Sequence, residues 1–213
     1  GFRALAPALE YRVWSALDGE LPSDLNECDA WLITGSRHDA YSDIPWILAL
    51  RDWIRRAHDA NVKLAGICFG HQVIAQALGG EVVKSTKGWG LGVSVHPMQE
   101  AKPWMQPGLE TIRILASHQD QVAQLPPGAT LLAGNDFCPN FMFLQGDHIV
   151  AIQGHPEFSV EYNRALIERR RDRLPDEHYQ SSLSSLEGEV DSATMMQWLL
   201  QFLGMLPVGP AVR

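Results

Sequence analysis

A cysteine between two glycines is the residue of this chain best placed to do chemistry. Cys68 lies in the heptapeptide GICFGHQ, residues 66–72, after the apolar run 62–65 and before the amphipathic stretch 73–78. A strand, a tight turn with a nucleophile at its apex and a helix make a nucleophile elbow. Glycine is expected at positions 66 and 70, because a Cβ at either place would clash in the turn. The N-terminus of the following helix would favour the thiolate over the thiol.

The competing interpretation is that Cys68 is a buried structural residue, as free cysteines often are. The flanking glycines and the predicted switch from strand to helix favour the nucleophile at this position. Cys28 and Cys138 lack such surroundings, and we expect both to be structural.

A histidine and a glutamate supply the groups that a thiol nucleophile needs. His155 and Glu157 lie in Gly-His-Pro-Glu, residues 154–157, at the end of a predicted strand. An imidazole can act as base and then as acid. Glu157 projects to the same side in extended backbone and can accept from one ring nitrogen, so the other faces Cys68. Pro156 restricts His155 to extended conformations.

A histidine at a strand end more often has a structural or surface role. For His155 that expectation is reversed because Gly-His-Pro-Glu occurs in the same chain as the predicted nucleophile elbow. The remaining histidines, including His38, His58 and His178, are expected to be structural or solvated.

Alternating strands and helices position these residues. The predicted elements are a helix tail at 1–8, strands at 11–15, 29–34 and 62–67, and a helix at 45–60. This order predicts an α/β fold with a mostly parallel, doubly wound sheet and flanking helices. Sites in such sheets lie beyond the carboxyl ends of the strands, where Gly35 and Cys68 both fall.

The second half of the chain lacks the alternation of strands and helices. Short strands separated by Gly and Pro predict a small antiparallel excursion from the main sheet, at 81–84, 91–96, 111–116 and 129–133. A hairpin of strands 141–145 and 148–153 follows. Two helices, 160–173 and 192–203, are expected after it, joined by a polar link.

Composition limits the class of protein. The 213 residues suit a single domain, 1–213, and a net charge of −8 argues against nucleic-acid binding. The basic stretch 168–173 is expected to be a solvated helix face. Three widely spaced cysteines form neither a disulfide framework nor a zinc spacing, so we predict no metal and a reducing, cytoplasmic location. No apolar run is long enough to predict membrane association, and no signal peptide is visible.

The pair of motifs GICFGHQ and GHPEF resembles the class I glutamine amidotransferase family, whose catalytic triad is Cys-His-Glu. The similarity covers essentially the whole chain and is clearest from 29 to 158. It implies a flavodoxin-like fold, no cofactor, and Cys68, His155 and Glu157 as the triad. Cys68 would attack the side-chain amide of glutamine or a γ-glutamyl compound and release ammonia or an amine from a thioester.

The resemblance also implies the residues around the triad. The backbone N–H groups of Gly35 and Phe69 would form the oxyanion hole, with about 3–4 kcal/mol from each donor. On local sequence alone, Gly35 is equally well explained as a turn that ends a strand. The segment 117–122 matches the family segment that holds the glutamine α-amino and α-carboxylate groups, through Ser117, His118 and Gln119. Gln72 matches the elbow glutamine of the same pocket.

Three departures from the family pattern matter. The loop 34–41 is poorer in glycine than in synthase-linked members and looks more like free-standing amidotransferases and plant γ-glutamyl peptidases. The segment 88–90 lacks an acidic neighbour that some members carry. We also expect that the given sequence begins after the family's first strand and is incomplete there.

The sequence leaves two classes of function open. An enzyme would act on glutamine or a γ-glutamyl small molecule, and either a separate synthase subunit receives the ammonia or the protein simply hydrolyses its substrate. The alternative is a non-catalytic binding or regulatory protein that retains the fold. The complete set of Cys68, His155 and Glu157 argues against that alternative.

Overall fold

The computed structural model describes residues 1–209 of the chain. Strands and helices follow one another as α1 (Phe2–Leu5), β1 (Trp31–Ile33), α2 (Pro45–Asp59), β2 (Leu64–Ile67), α3 (Phe69–Ala77), β3 (Glu81–Lys84), β4 (Gly90–Pro97), β5 (Thr111–His118), β6 (Asp120–Gln124), β7 (Ala129–Ala133), β8 (Met142–Gln145), β9 (Ile149–Ile152), α4 (Val160–Glu168), α5 (Asp176–Ser185) and α6 (Ser192–Phe202). Two short 3₁₀ helices lie at Ala16–Asp18 and Arg171–Arg173.

A five-stranded mixed sheet forms the centre, in the order β1-β2-β9-β8-β7. The pairings of β1 with β2 and of β2 with β9 are parallel. The predicted hairpin of β8 and β9 is observed, and its antiparallel pairing is continued by β7. The α/β class with flanking helices is therefore as the sequence predicts. Two of the four pairings in this sheet are antiparallel, because β8 runs against its neighbours β9 and β7.

Apolar side chains cover both faces of this sheet. Along β9, Ile149 and Ala151 belong to the core cluster that includes residues of α2 and α3, whereas Val150 and Ile152 belong to the cluster that includes residues of α6. Successive residues of a strand point to opposite faces. A strand covered on both faces reads as an unbroken apolar run, which is why the sequence reveals β2 and β9 readily.

The predicted antiparallel excursion consists of two separate pairs, β3 with β6 and β4 with β5. The strand at 129–133, which we expected to belong to it, is instead the edge strand β7 of the main sheet. The strand β6 was not predicted from the sequence. Its three polar residues are explained by its position, because among the described strands it pairs only with the short strand β3.

The strand predicted at 11–15 is wrong. These residues have no regular structure, and Trp14 packs on Trp31 with ring centroids 5.1 Å apart. A strand needs a neighbour for its backbone hydrogen bonds. Among residues 1–209, no strand pairs with the outer edge of β1, and this segment is held by side-chain packing and by local hydrogen bonds between Ser15 and Glu20. The predicted helix tail at 1–8 corresponds to α1.

Two predictions for the C-terminal region also need correction. The helix expected at 160–173 ends at Glu168, and a 3₁₀ turn follows at Arg171–Arg173. The expected polar link contains α5, which begins after Pro175 and has two acidic residues in its first turn, as a helix N-terminus favours. Ser182 is the one buried residue of this helix. The helix therefore lacks the apolar stripe that would have revealed it in the sequence.

The described helices have no segment with both the length and the apolar content that crossing a membrane requires.

Two glycines allow α3 to approach β1 and β2 closely. A Cβ built on Gly70 would overlap the carbonyl oxygen of Ile33, and one built on Gly66 would lie 2.7 Å from the backbone of Gly70. Contacts this short do not occur, so a side chain at Gly70 would force α3 away from β1, and one at Gly66 would force α3 away from β2.

We therefore predict that Gly70→Ala destabilises the protein by about 2 kcal/mol, within the range usual for overpacking. Urea unfolding followed by circular dichroism measures this. The control is Gly108→Ala, whose added Cβ would meet only the Met105 carbonyl oxygen at 4.0 Å. Equal unfolding midpoints for the two variants would contradict the close packing of α3 on β1.

Candidate active site

Cys68 occupies the turn between β2 and α3 in a conformation that side chains rarely adopt. Its φ is 53° and its ψ is −101°, and it caps the N-terminus of α3. The Cys68 N–H donates to the Ile152 carbonyl oxygen at 2.9 Å, and its own carbonyl accepts from Gln72 N at 3.1 Å. Such a backbone costs on the order of 1–3 kcal/mol and persists where the surroundings over-determine it. The sulfur is thereby presented beyond the end of the sheet.

His155 follows β9, the strand next to β2. Its N–H donates to the Leu115 carbonyl oxygen at 2.8 Å, which ties the end of β9 to β5. The ring is buried, and its Nδ1 lies 2.8 Å from Glu157 Oε1. This bond leaves Nε2 for Cys68, so the structure brings the three predicted catalytic residues together.

Opposing effects set the charge of the His155 ring. Burial lowers its pKa, but hydrogen bonds and charge from Cys68 and Glu157 outweigh burial and raise it to about 9. At neutral pH the imidazole is therefore protonated in this arrangement. A cation between a sulfur and a carboxylate can stabilise a thiolate and can also donate a proton.

Phe158 holds the imidazole from the side. Its ring stacks on His155 at a centroid distance of 3.9 Å with 7° between the planes, and Tyr162 meets the edge of Phe158 at 4.7 Å. A protonated imidazole is attracted to an aromatic face. The stack therefore restricts the ring to the plane in which Nδ1 meets Glu157.

Gly35 lies against the side chains of Cys68 and His155. A Cβ built there would be 3.2 Å from His155 Cε1 and 3.9 Å from Cys68 Cβ. In the described part of the chain, neither Gly35 N–H nor Phe69 N–H donates a hydrogen bond to a backbone carbonyl. Two unpaired donors beside the sulfur are what an oxyanion hole requires.

Gln153 is a residue of the site that the sequence did not single out. Its side chain is fully buried, and its Nε2 donates to Cys68 Sγ at 3.6 Å. Its Oε1 accepts from Gln72 Nε2 at 3.0 Å. The signal available in the sequence was a polar residue at the end of an apolar strand, two positions before His155.

Gln72, predicted to contact substrate, is buried, and its Nε2 also donates to the Asp120 carbonyl oxygen at 2.8 Å. The same oxygen lies 3.2 Å from His118 Nδ1. Burial, opposed by this hydrogen bond, lowers the pKa of His118 to about 4, so its ring is neutral at pH 7. Since Nδ1 faces a carbonyl, it carries the proton, and Nε2 is free to accept.

Ser117 and Gln119 flank His118 at the turn from β5 to β6. Ser117 pairs with Leu91 of β4, and the Gln119 carbonyl oxygen accepts from Ser85 N at 3.1 Å. The structure thus brings His118 and Gln72 together around one carbonyl and places Ser117 and Gln119 on either side.

Two carboxylates also meet beside this turn, which the sequence did not predict. Burial, followed by a hydrogen bond and charge from Asp39, raises the pKa of Asp120 to about 6. Asp39 belongs to the loop after β1, and Arg51 of α2 holds that loop through the carbonyl oxygens of Ala40 and Ser42. Arg51 therefore fixes the segment that follows Gly35.

The other candidate nucleophiles and bases lie in settings that suit structural roles. Burial raises the pKa of Cys138 to about 12, which keeps it a thiol. Cys28 is half-buried, and all three cysteines are free. His58 Nδ1 pairs with His148 Nε2 at 2.9 Å, and His148 directly precedes β9, at the opposite end of that strand from His155. Within residues 1–209, no three His, Cys, Asp or Glu side chains are grouped to hold a metal ion.

Comparison with solved structures identifies the same architecture. A glutamine amidotransferase from Methylobacillus flagellatus superposes with a TM-score of 0.74 at 18% identity, over 100% of this chain and 90% of that one. A glutamine amidotransferase from Thermotoga maritima gives 0.71 at 22% identity, over 87% and 83% of the two chains. At these identities the likeness shows the fold.

Sequence comparison gives closer relatives. Gamma-glutamyl peptidase 3 of Arabidopsis thaliana is 34% identical over 168 residues, 75% of this chain and 68% of that protein. Gamma-glutamyl peptidase 4 of the same plant is 41% identical over 160 residues, 72% of this chain and 64% of that protein. The chain thus spans about two thirds of the length of these curated relatives.

The family model of the glutamine amidotransferase class-I family matches residues 18–171, which include the elbow of Cys68 and the Gly-His-Pro-Glu segment. On this match and on the relatives above 30% identity, the chain belongs to the class I glutamine amidotransferase family.

Proposed function

We propose that this protein is a cysteine hydrolase that cleaves the side-chain amide of glutamine or of a γ-glutamyl compound through a thioester. The observation that carries the proposal is the meeting of Cys68, His155 and Glu157 at the end of adjacent parallel strands, with Cys68 in a strained turn. The relatives named gamma-glutamyl peptidase support an amide of a γ-glutamyl group as substrate.

Acylation begins with the Cys68 sulfur. The thiolate attacks the carbonyl carbon of the side-chain amide, and the carbonyl oxygen becomes an oxyanion held by Gly35 N–H and Phe69 N–H. When the tetrahedral intermediate collapses, the C–N bond breaks and the nitrogen takes a proton from His155. The products of this step are the γ-glutamyl thioester and ammonia, or an amine when the amide nitrogen is substituted.

Deacylation uses the same groups in reverse. His155, now neutral, takes a proton from a water that attacks the thioester carbon. The second oxyanion occupies the same two N–H donors, and its collapse expels the Cys68 thiolate and frees glutamate. His155 ends protonated, so the pair returns to its starting state.

Glu157 and Gln153 support these steps without touching the reacting carbon. Glu157 keeps the proton of Nδ1 in place, so Nε2 always faces the sulfur. Gln153 donates to the sulfur itself, and a hydrogen bond to a thiolate favours the charged form. Both residues therefore increase the fraction of enzyme in which Cys68 is a thiolate and Nε2 of His155 faces it.

The γ-glutamyl head would bind beside the turn from β5 to β6. We assign its α-amino and α-carboxylate groups to the pocket of Gln72, Ser117, His118 and Gln119. With glutamine as substrate, the ammonia passes either to water or to a separate synthase subunit. We further propose one domain over residues 1–213 and a cytoplasmic location, since three free cysteines suit a reducing compartment.

A hydrolysis screen with the purified protein alone tests this function. L-glutamine, γ-glutamyl amines and γ-glutamyl dipeptides are supplied, and glutamate is measured as the common product. A non-catalytic binding protein would release none. In parallel, a glutamine-directed electrophile should add to Cys68, and an unlabelled Cys68 would support the binding protein instead.

We predict that Cys68→Ser lowers kcat at least a hundredfold and leaves the circular dichroism spectrum unchanged, because a hydroxyl ionises far less readily than a thiol. The control is Cys138→Ser. Cys138 is buried in the same core cluster but has no catalytic partner, so activity should survive to the extent that the fold does. Retention of more than a few per cent of activity in the Cys68 variant would remove it as the nucleophile.

We predict that Gln153→Leu slows alkylation of Cys68 by iodoacetamide at least fivefold, because the sulfur loses its hydrogen-bond donor. Peptide mapping by mass spectrometry gives the rate. Gln145→Leu is the matched control, since Gln145 is a buried glutamine at the opposite end of the sheet, bonded to the Pro127 carbonyl oxygen. A similar rate in both variants would show that Gln153 does not act on the sulfur.

We predict a pH–rate profile whose basic limb lies near pH 9, where His155 loses the proton that the leaving nitrogen needs. Glu157→Gln removes a charge that raises the pKa of His155, so the limb should move to lower pH. Initial rates of hydrolysis from pH 6 to 10 measure the shift. A limb that stays in place in a folded Glu157→Gln variant would contradict the role of Glu157.

A further inference from the structure

The two proposed oxyanion donors lie on separate elements of the fold. Phe69 is the first residue of α3, so the position of its N–H is that of the helix end. Gly35 lies in the loop of residues 34–44 between β1 and α2, and its position depends on the contacts of that loop. An oxyanion hole needs both donors at about 2.7–3.1 Å from one oxygen atom. The distance between the two donors must therefore be fixed by contacts outside the triad.

Trp46, in the first turn of α2, contacts both of these elements through its ring. The ring of His38, a residue of the loop, meets Trp46 edge-on at a centroid distance of 5.3 Å, with 83° between the planes. On the α3 side, the rings of Trp46 and Phe69 are 5.5 Å apart. Both distances are those of direct aromatic contact. One side chain thus spans the loop that carries Gly35 and the residue that carries the second donor.

A short turn links His38 to Gly35. Ser36 Oγ accepts from His38 N–H at 3.3 Å and lies 3.1 Å from His38 Nδ1. These bonds close the backbone from Ser36 to His38 into a turn. Gly35 directly precedes this turn, and a Cβ built on it would lie 3.2 Å from His155 Cε1. A shift of His38 would therefore displace Gly35 relative to the His155 imidazole.

Arg51 holds the second half of the same loop. Its side chain is buried, and Nε donates to the Ala40 carbonyl oxygen at 3.1 Å. Nη2 donates to the same oxygen and, at 3.4 Å, to the Ser42 carbonyl oxygen. The carboxylate of Asp43 lies 3.9 Å from Nη1 and is almost fully exposed. The guanidinium is therefore bonded mainly to the backbone of the loop.

Packing alone does not account for an arginine at this position. Removing a guanidinium from water is costly, and an apolar side chain of similar volume often stabilises a fold at least as well. The exposed Asp43 offsets little of this cost, because an ion pair in contact with water is weak. The planar fork of Arg51 instead fixes the direction of two carbonyl oxygens of one loop. This favours a role in positioning the loop.

We propose that Trp46 and Arg51 are positioning residues of the oxyanion hole, and that α2 sets the distance between the Gly35 and Phe69 N–H groups through them. The inference rests on the proposed function and adds two residues to it. Neither side chain would touch the substrate. Both act on the oxyanion, which exists only after Cys68 has attacked a carbonyl carbon.

The test compares a reaction of Cys68 that forms an oxyanion with one that does not. Hydrolysis is followed with the γ-glutamyl substrate that the purified protein cleaves fastest. Alkylation by iodoacetamide displaces iodide at a saturated carbon and forms no oxyanion. In Arg51→Met we expect kcat to fall at least tenfold, a part of the roughly hundredfold or greater loss that follows removal of one donor. The alkylation rate should stay within about twofold, because this reaction uses no oxyanion donor.

Arg55→Met is the matched control. Arg55 lies one turn further along α2 and donates to the carbonyl oxygen of Ala77, the last residue of α3, away from the loop. Its loss should leave kcat within about twofold of the starting value. Arg51→Lys should give a kcat between those of Arg51→Met and the unmodified protein, since an ammonium group lacks the fork that holds two carbonyl oxygens.

Trp46→Phe tests the second contact. A phenyl ring is too small to span His38 and Phe69 as the indole does, so kcat should fall at least threefold, with little change in alkylation. Trp53→Phe is its control, because Trp53 is a buried residue of the same helix that packs on Trp31 at 5.2 Å. This pair of variants also decides the question if the arginine variant does not fold.

Two results would overturn the inference. One is a kcat in Arg51→Met and Trp46→Phe no lower than in their controls. The other is an equal loss of hydrolysis and alkylation, which would show that the whole site is disturbed. Failure of the proposed function looks different. In that case the unmodified protein would hydrolyse none of the substrates, and a glutamine-directed electrophile would leave Cys68 unlabelled.

Discussion

The site depends on the backbone strain at Cys68. A residue with a side chain adopts a φ of 53° and a ψ of −101° only when its neighbours leave no alternative. Here β2 is hydrogen-bonded into the sheet on one side of the turn, and α3 is packed against β1 on the other. Gly66 and Gly70 make this possible because they allow the two backbones to approach. The strain at one residue is therefore offset by contacts spread over two strands and a helix.

The same constraint explains the position of the other residues of the candidate site. Since β2 and β9 are parallel neighbours, their carboxyl ends lie side by side, and the residues that follow them meet. Cys68 follows β2, and Gln153 and His155 follow β9. The link from His155 N–H to Leu115 then brings β5 to the same place, with His118 at its end. One edge of the sheet thus gathers residues from three distant parts of the sequence.

The meeting of Cys68, His155 and Glu157 and the fold class could be predicted because their signals are local. Two glycines around Cys68 and a proline after His155 restrict the backbone within a few residues. By contrast, Gln153 and the Asp39–Asp120 contact depend on pairings between distant segments, which no local pattern records. The helix α5 was missed because it buries little apolar surface. The strand at 11–15 was wrongly predicted because the residue types of one segment do not show whether a partner strand is present.

The charge of the site follows from its packing in a similar way. Burial alone would leave His155 neutral. Its ring is cationic because its two nitrogens form hydrogen bonds with the Cys68 sulfur and the Glu157 carboxylate. Burial without such partners has the opposite result at His118, which is neutral. His155 is therefore cationic with both ring nitrogens hydrogen-bonded, whereas His118 is neutral with Nε2 able to accept a hydrogen bond.

The most direct measurement of the central claim is the mass of the acyl-enzyme. The protein is mixed with a γ-glutamyl substrate and quenched in acid within the first turnovers, and intact and peptide masses are recorded. The account predicts one γ-glutamyl group on the peptide that contains Cys68, removable by hydroxylamine as a thioester is. Product formation with no acyl group on Cys68, or with the group on another residue, would contradict it.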